Sequence, residues 1–84
     1  MPLRYFVYIV ECADQTLYIG STNNIEKRLH AHNHLKSGAH YTKIRRPVKL
    51  VYFEKCKSVG EARSREYMIK QSTRDEKLKL IHGK

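Results

Sequence analysis

The sequence predicts an α+β domain, a small three-stranded antiparallel sheet flanked by helices, and three observations carry that prediction. A strand-like run at residues 4–12 (RYFVYIVEC) is answered across a short polar turn by a second at 16–21 (TLYIGS). A third such run, 48–56 (VKLVYFEKC), follows a basic connection. Helical periodicity opened by capping residues fills 23–34, 58–71 and the stretch from Thr73 onward. The 84 residues suit one core, so residues 1–84 are read as a single domain.

Residues 4–12 are almost continuously β-branched or aromatic, the pattern of a strand covered on both faces, and therefore a central one. Ala13, Asp14 and Gln15 make the turn, and its length decides where two tyrosines point. A two-residue turn pairs position 8 with 21 and sends Tyr8 and Tyr18 to opposite faces. A three-residue loop pairs 8 with 20 and brings both rings to one face; this is the reading adopted, with Gln15 in the left-handed position usually given to Gly. Gly20, opposite Tyr8, then leaves room over that ring for a substrate backbone.

In the first helix, Asn23 is the expected cap with Glu26 as its capping-box partner. Ile25, Leu29 and His32 share the inward stripe, and Arg28 lies at its edge, where its stem can run along the sheet. The connection 35–47 is the most basic stretch, with Lys36, Lys43, Arg45 and Arg46. A short helical turn is expected within 39–44, stopped by Pro47. Tyr41 among these cations offers a stacking surface for a base, and the patch as a whole a track for a nucleic-acid backbone. The third strand is expected to pair with the first.

Ser58 and Glu61 open the next helix. There Val59, Ala62, Glu66 and Ile69 form one inward stripe, so Glu66 stands where the pattern asks for an apolar residue. A buried, unpaired carboxylate costs several kcal/mol and needs a cation or strong donor. An exposed ion pair with Lys70 at i+4 would contribute only about 0.3–0.5 kcal/mol; a metal or Arg28 explains the position better. Thr73 and Glu76 repeat the capping pattern and begin a last helix whose Leu78, Leu80 and Ile81 close the core.

Composition narrows the partners. Seventeen Lys and Arg against eight Asp and Glu leave a formal charge of +9, which favours an anionic partner, most simply nucleic acid. With 40% hydrophobic and 30% charged residues the chain should be globular. The apolar run 6–10 is broken by Glu11 and Asp14 and is far shorter than the roughly 20 residues that span a bilayer, so no leader and no membrane association are expected. A cytoplasmic setting follows, with Cys12 and Cys56 as reduced thiols.

Val7-Tyr8-Ile9, then Leu17-Tyr18-Ile19-Gly20, then Arg28 resemble the signature of the GIY-YIG nuclease domain in a small stand-alone version. The first tripeptide has drifted, with Phe6-Val7-Tyr8 where the family name has Gly-Ile-Tyr; the second is intact. The resemblance covers almost the whole chain. It implies phosphodiester hydrolysis, with Tyr8, Tyr18 and Arg28 in the active site and His32 as a secondary member, since some relatives carry a histidine near that place. It further implies Glu66 as the protein ligand of a divalent ion, Mg²⁺ or Mn²⁺, because the family has a glutamate on the corresponding late helix. The expectation is a metal-dependent DNA endonuclease, nicking or structure-selective, in repair or recombination. With no appended DNA-binding domain expected, affinity should be mostly electrostatic and a protein partner could aim it. The alternative is a basic nucleic-acid-binding module of the same fold that cleaves little or nothing. RNA as substrate is a third reading.

Overall fold

In the computed structural model, which describes residues 4–35 and 40–83, strand β1 (Tyr5–Glu11) runs between β2 (Leu17–Thr22) and β3 (Lys49–Cys56), antiparallel to both. Its central place explains its composition: Val7, Tyr8, Ile9 and Val10 are all buried, as a strand covered on both faces requires. The turn has three residues. Gln15 N–H donates to the Cys12 carbonyl (2.9 Å) and Cys12 N–H to the Thr16 carbonyl (2.8 Å). Gln15 takes φ 69°, the left-handed conformation that this loop length demands. Tyr8 therefore pairs with Gly20, and Tyr18 with Val10, so both phenols share a face.

Each side of the sheet builds its own core. One face carries Val7, Ile9, Ile19 and Cys56 beneath Ala62 and Ile69 of helix α3 (Val59–Gln71), with Leu80 and Ile81 of α4 (Arg74–His82) packed against them. The other carries Tyr8, Val10, Cys12 and Val48, with Tyr18, Leu50 and, from α1 (Ile25–His34), Leu29. Cys12 and Cys56 are free thiols, one in each cluster. Val51 is an extra residue in β3, because Ile9 faces Tyr52 whereas Val10 faces Leu50; this bulge lets the consecutive Val51 and Tyr52 pack on one face while Leu50 serves the other.

The helix ends largely follow the sequence, with two differences. Asn24, not Asn23, caps α1: its side chain accepts Lys27 N–H (3.0 Å), while Asn24 N–H donates to Thr22 Oγ1 (3.1 Å). With Lys rather than Glu at that third position, no capping box can close, and Glu26 is left to favour the positive helix end by charge alone. Ser58 caps α3 as expected, accepting Glu61 N–H (3.1 Å), but the Glu61 carboxylate reaches Lys57 N–H instead of the cap. Thr73 and Glu76 form the full box. A single helical turn, α2 (His40–Lys43), packs on α1. Among the described residues no helix is long and apolar enough to cross a membrane.

Candidate active site

Beside β2, the edge strand next to β1, lies an open cleft of about 430 Å³. Tyr8, Tyr18, Gly20 and Arg28 line it from the hairpin and α1; Glu66 lines it from α3. Residues separated by almost sixty positions thus meet because the three-residue turn aligns the phenols and the α3 stripe turns its carboxylate to the sheet.

Tyr8 is the most constrained member. A Cβ on Gly20 would lie 2.5 Å from its Oη and 2.7 Å from Cζ, so the phenol rests directly on the glycine backbone. The Tyr8 ring fills the space that a side chain at position 20 would take, and both residues line the cleft. Tyr8 Oη is 2.7 Å from His32 Nε2, and His32 Nδ1 is 2.7 Å from Thr42 Oγ1. His32 and Thr42 are fully buried. Since a neutral imidazole has one donor and one acceptor nitrogen, the row Tyr8–His32–Thr42 is satisfied in either tautomer, with all its protons moving one place. Tyr18 closes the imidazole from another side, its ring centroid 5.3 Å from that of His32 in edge-to-face geometry.

Burial sets the protonation of this row. It pushes the Tyr8 phenol up to about 12, against the Arg28 guanidinium, which hydrogen-bonds the phenol and draws it down. It pushes the His32 imidazole down to about 4, helped by the positive charges of Arg28 and Arg46. At neutral pH the pair is an uncharged phenol and an uncharged imidazole. His32 is thus a hydrogen-bonded partner that fixes the Tyr8 phenol, with no exposed surface of its own.

Glu66 is largely shielded, its side chain 21% exposed, and its Oε2 pairs with Lys70 Nζ at 2.7 Å. The i+4 ion pair that sequence reasoning ranked second is the one formed, although Glu66 also faces the cleft. No group of three His, Cys, Asp or Glu side chains gathers among the described residues. One hard carboxylate lining an open cleft fits Mg²⁺, which keeps most of its water and takes one or two carboxylates; it does not fit a closed zinc site.

The basic connection divides differently from expectation. Arg46 is a helix cap: Nε donates to the His32 carbonyl (2.6 Å) and a terminal nitrogen to the carbonyls of Leu35 (2.6 Å) and Ala31 (3.3 Å). Arg45 is a tether, its Nε 3.1 Å from Asp14 Oδ2 and its guanidinium 3.9 Å above the Tyr41 ring. Tyr41 in turn is stacked on Tyr18 (5.9 Å), so one part of its ring is engaged by the fold while the residue stays exposed. Both arginines are held by the fold because the end of α1 and the hairpin turn each present unsatisfied acceptors. Lys43 lies half-buried on α2, and Lys36 falls outside the described residues.

Sequence reasoning missed Thr42, which carries no pattern that distinguishes it, and Ser21, Arg63 and Tyr67, which also border the cleft. The α3 spacing could have found the last two: positions 63 and 70 lie at i−3 and i+4 from Glu66, on its side of the helix, and 67 lies between them.

The cleft gathers two phenols, an arginine and a carboxylate beside an antiparallel edge strand in a nuclease-type catalytic domain, and the chain belongs to the GIY-YIG family: the GIY-YIG catalytic domain model matches residues 4–79. Within it, the chain is similar to single-domain UPF0213 proteins. It is 57% identical over 79 residues to one from Clostridium perfringens, covering 94% of this chain and 84% of that protein. It is 58% identical over 78 residues to one from Syntrophus aciditrophicus, covering 93% and 90%. The solution NMR structure of the UPF0213 protein BH0048 from Bacillus halodurans matches with a TM-score of 0.62 at 36% identity, over 96% of this chain and 85% of that one.

Proposed function

We propose that the protein is a Mg²⁺-dependent endonuclease that hydrolyses DNA phosphodiester bonds, by nicking or at structural features, in a repair or recombination setting. The observation that carries this reading is the convergence of Tyr8, Tyr18, Arg28 and Glu66 on one open cleft in a chain of net charge +9. Arg28 offers guanidinium donors to a non-bridging phosphate oxygen. Tyr8, held by Gly20, His32 and Arg28, orients the attacking water and passes a proton toward His32. Tyr18 presents its hydroxyl to the phosphate or the water. Glu66 would hold the ion in exchange for Lys70, and the ion, when bound, would supply Lewis-acid stabilisation of the charge developing on the phosphate and the leaving oxygen.

Supercoiled plasmid and branched DNA incubated with Mg²⁺, with Mn²⁺ and with chelator test this. Expected is metal-dependent nicking that Glu66→Gln abolishes and that Arg28→Ala lowers by about 10²–10³-fold, the loss typical of one transition-state donor. Retained DNA binding with no cleavage at any protein concentration would instead support a binding module. That rival draws its support from Tyr8, whose phenol, pushed up to about 12, is a reluctant base until a substrate charge or ion acts on it.

A further inference from the structure

Helix α3 presents more to the cleft than Glu66. Arg63, Tyr67 and Lys70 stand at i, i+4 and i+7, one stripe spanning about 10 Å of helix, the rise of some three nucleotides of a B-form strand. Tyr67 is 65% exposed, while the helix already buries Ala62 and Ile69 toward the core, so packing gives no reason for an aromatic there. Among the described residues neither the Tyr67 nor the Arg63 side chain makes a hydrogen bond or ion pair. The contrast is with Arg45, Arg46 and Arg65, each held by carbonyls or a carboxylate, and with Tyr41, whose ring is engaged by Arg45 and Tyr18.

We propose that α3 binds the nucleotide flanking the scissile phosphate, with the Tyr67 ring stacking on an unpaired base and Arg63 holding a neighbouring phosphate. The proposal rests on the nuclease reading of the cleft and narrows its substrate class. A base must leave its own stack to lie on Tyr67, so the preferred substrate carries an unpaired nucleotide next to the cut, as in a flap, branch or single strand. A continuous duplex gains only the electrostatic part. Stacking of one base on an aromatic side chain is worth about 5–150-fold in affinity, enough to produce structure selectivity in a chain whose remaining affinity is charge.

The test uses the full chain in chelator, so that binding is read without cleavage. A flap oligonucleotide carrying 2-aminopurine at the unpaired position next to the junction is titrated beside a fully paired duplex with the same base. Expected are fluorescence quenching on the flap and about tenfold weaker flap binding by Tyr67→Ala, with no quenching. Tyr67→Phe should retain both, because the ring and not the hydroxyl acts. Arg63→Ala should lower the salt dependence by about one phosphate contact on either DNA. Equal flap affinity for Tyr67→Ala and the parent protein overturns the proposal, as does an equal loss on the paired duplex. If the parent nicks plasmid with Mg²⁺ while Tyr67→Ala binds and quenches normally, only the α3 proposal fails. If the parent binds neither DNA at low salt, the nuclease reading fails with it.

Discussion

Gly20→Ala is the smallest change that should dismantle the site. The added methyl carbon would sit 2.5 Å from Tyr8 Oη and 2.7 Å from Cζ, far inside contact distance. Neither strand can yield easily, since Tyr8 and Gly20 are partners in the β1–β2 ladder and β1 is also held by β3. The phenol must therefore swing, and it takes with it the 2.7 Å bond to His32, whose fully buried imidazole has no solvent to turn to. Overpacking costs about 1–3 kcal/mol and an orphaned buried polar group about as much again, so the loss should be about 2–6 kcal/mol. Urea denaturation followed by circular dichroism measures it as a fall in midpoint at unchanged slope. Tyr8→Ala should remove most of the cost of Gly20→Ala, because the clashing ring is gone, and the double variant should be markedly less than additive. Nicking by Gly20→Ala should fall by at least 100-fold, since Tyr8 then no longer faces the phosphate. A Gly20→Ala protein within 0.5 kcal/mol of the parent and fully active would refute the placement of the phenol on that glycine.

Three further outcomes follow from the same contacts. His32 is held near 4 in the fold and titrates near 6.5 when unfolded, so the unfolded chain binds more protons between those values; the stability it contributes, at most about 3 kcal/mol, is present above pH 6.5 and lost as pH falls toward 4. His32→Gln should flatten that part of a stability–pH curve measured by denaturation. Thr42→Val leaves His32 Nδ1 without its hydroxyl and should cost about 1–3 kcal/mol by the same assay, with a loss of nicking out of proportion to Thr42's distance from the cleft. Arg46→Ala should lower stability by about 1–3 kcal/mol through loss of the α1 carbonyl contacts while leaving the salt dependence of DNA binding unchanged; a shallower salt slope would mean that Arg46 contacts phosphate after all.

The parts of this molecule that strand alternation and caps control could be read from its sequence. The run around Val7 to Val10 announced a central strand, and the position of Gly20 against Tyr8 followed once a three-residue loop was chosen, even with Gln15 in an unfavoured conformation. Glu66 was visible because a carboxylate interrupts an apolar stripe that has a fixed period. The 35–47 connection was illegible for the opposite reason. Its arginines were read as one basic patch, yet what Arg45 and Arg46 do depends on which acceptors lie across a gap of eleven to thirty-one positions, the carbonyls ending α1 and the Asp14 carboxylate. No local pattern encodes such partners. Thr42 is similar: a buried hydroxyl has meaning only once the imidazole it faces is in place.

The same contacts explain how a small domain can keep a polar site ready. The deepest layer, Tyr8, His32 and Thr42, is uncharged at neutral pH and internally hydrogen-bonded, so its burial carries no ionic desolvation cost. Charge is confined to the rim, where Arg28, Arg63 and Lys70 outnumber Glu66 and leave an electropositive cleft. In the proposed reaction a phosphate arriving there would change the balance of the inner row by occupying Arg28, whose hydrogen bond and charge draw the Tyr8 phenol downward and help keep His32 unprotonated. With that guanidinium partly neutralised, both groups would hold a proton more tightly: His32 becomes the better acceptor, but Tyr8 the less willing donor. Under the proposed reaction Arg28 thus serves both the phosphate and the Tyr8 phenol, and Arg28→Lys, with the charge kept but the planar donor fork that reaches both lost, should not substitute for it.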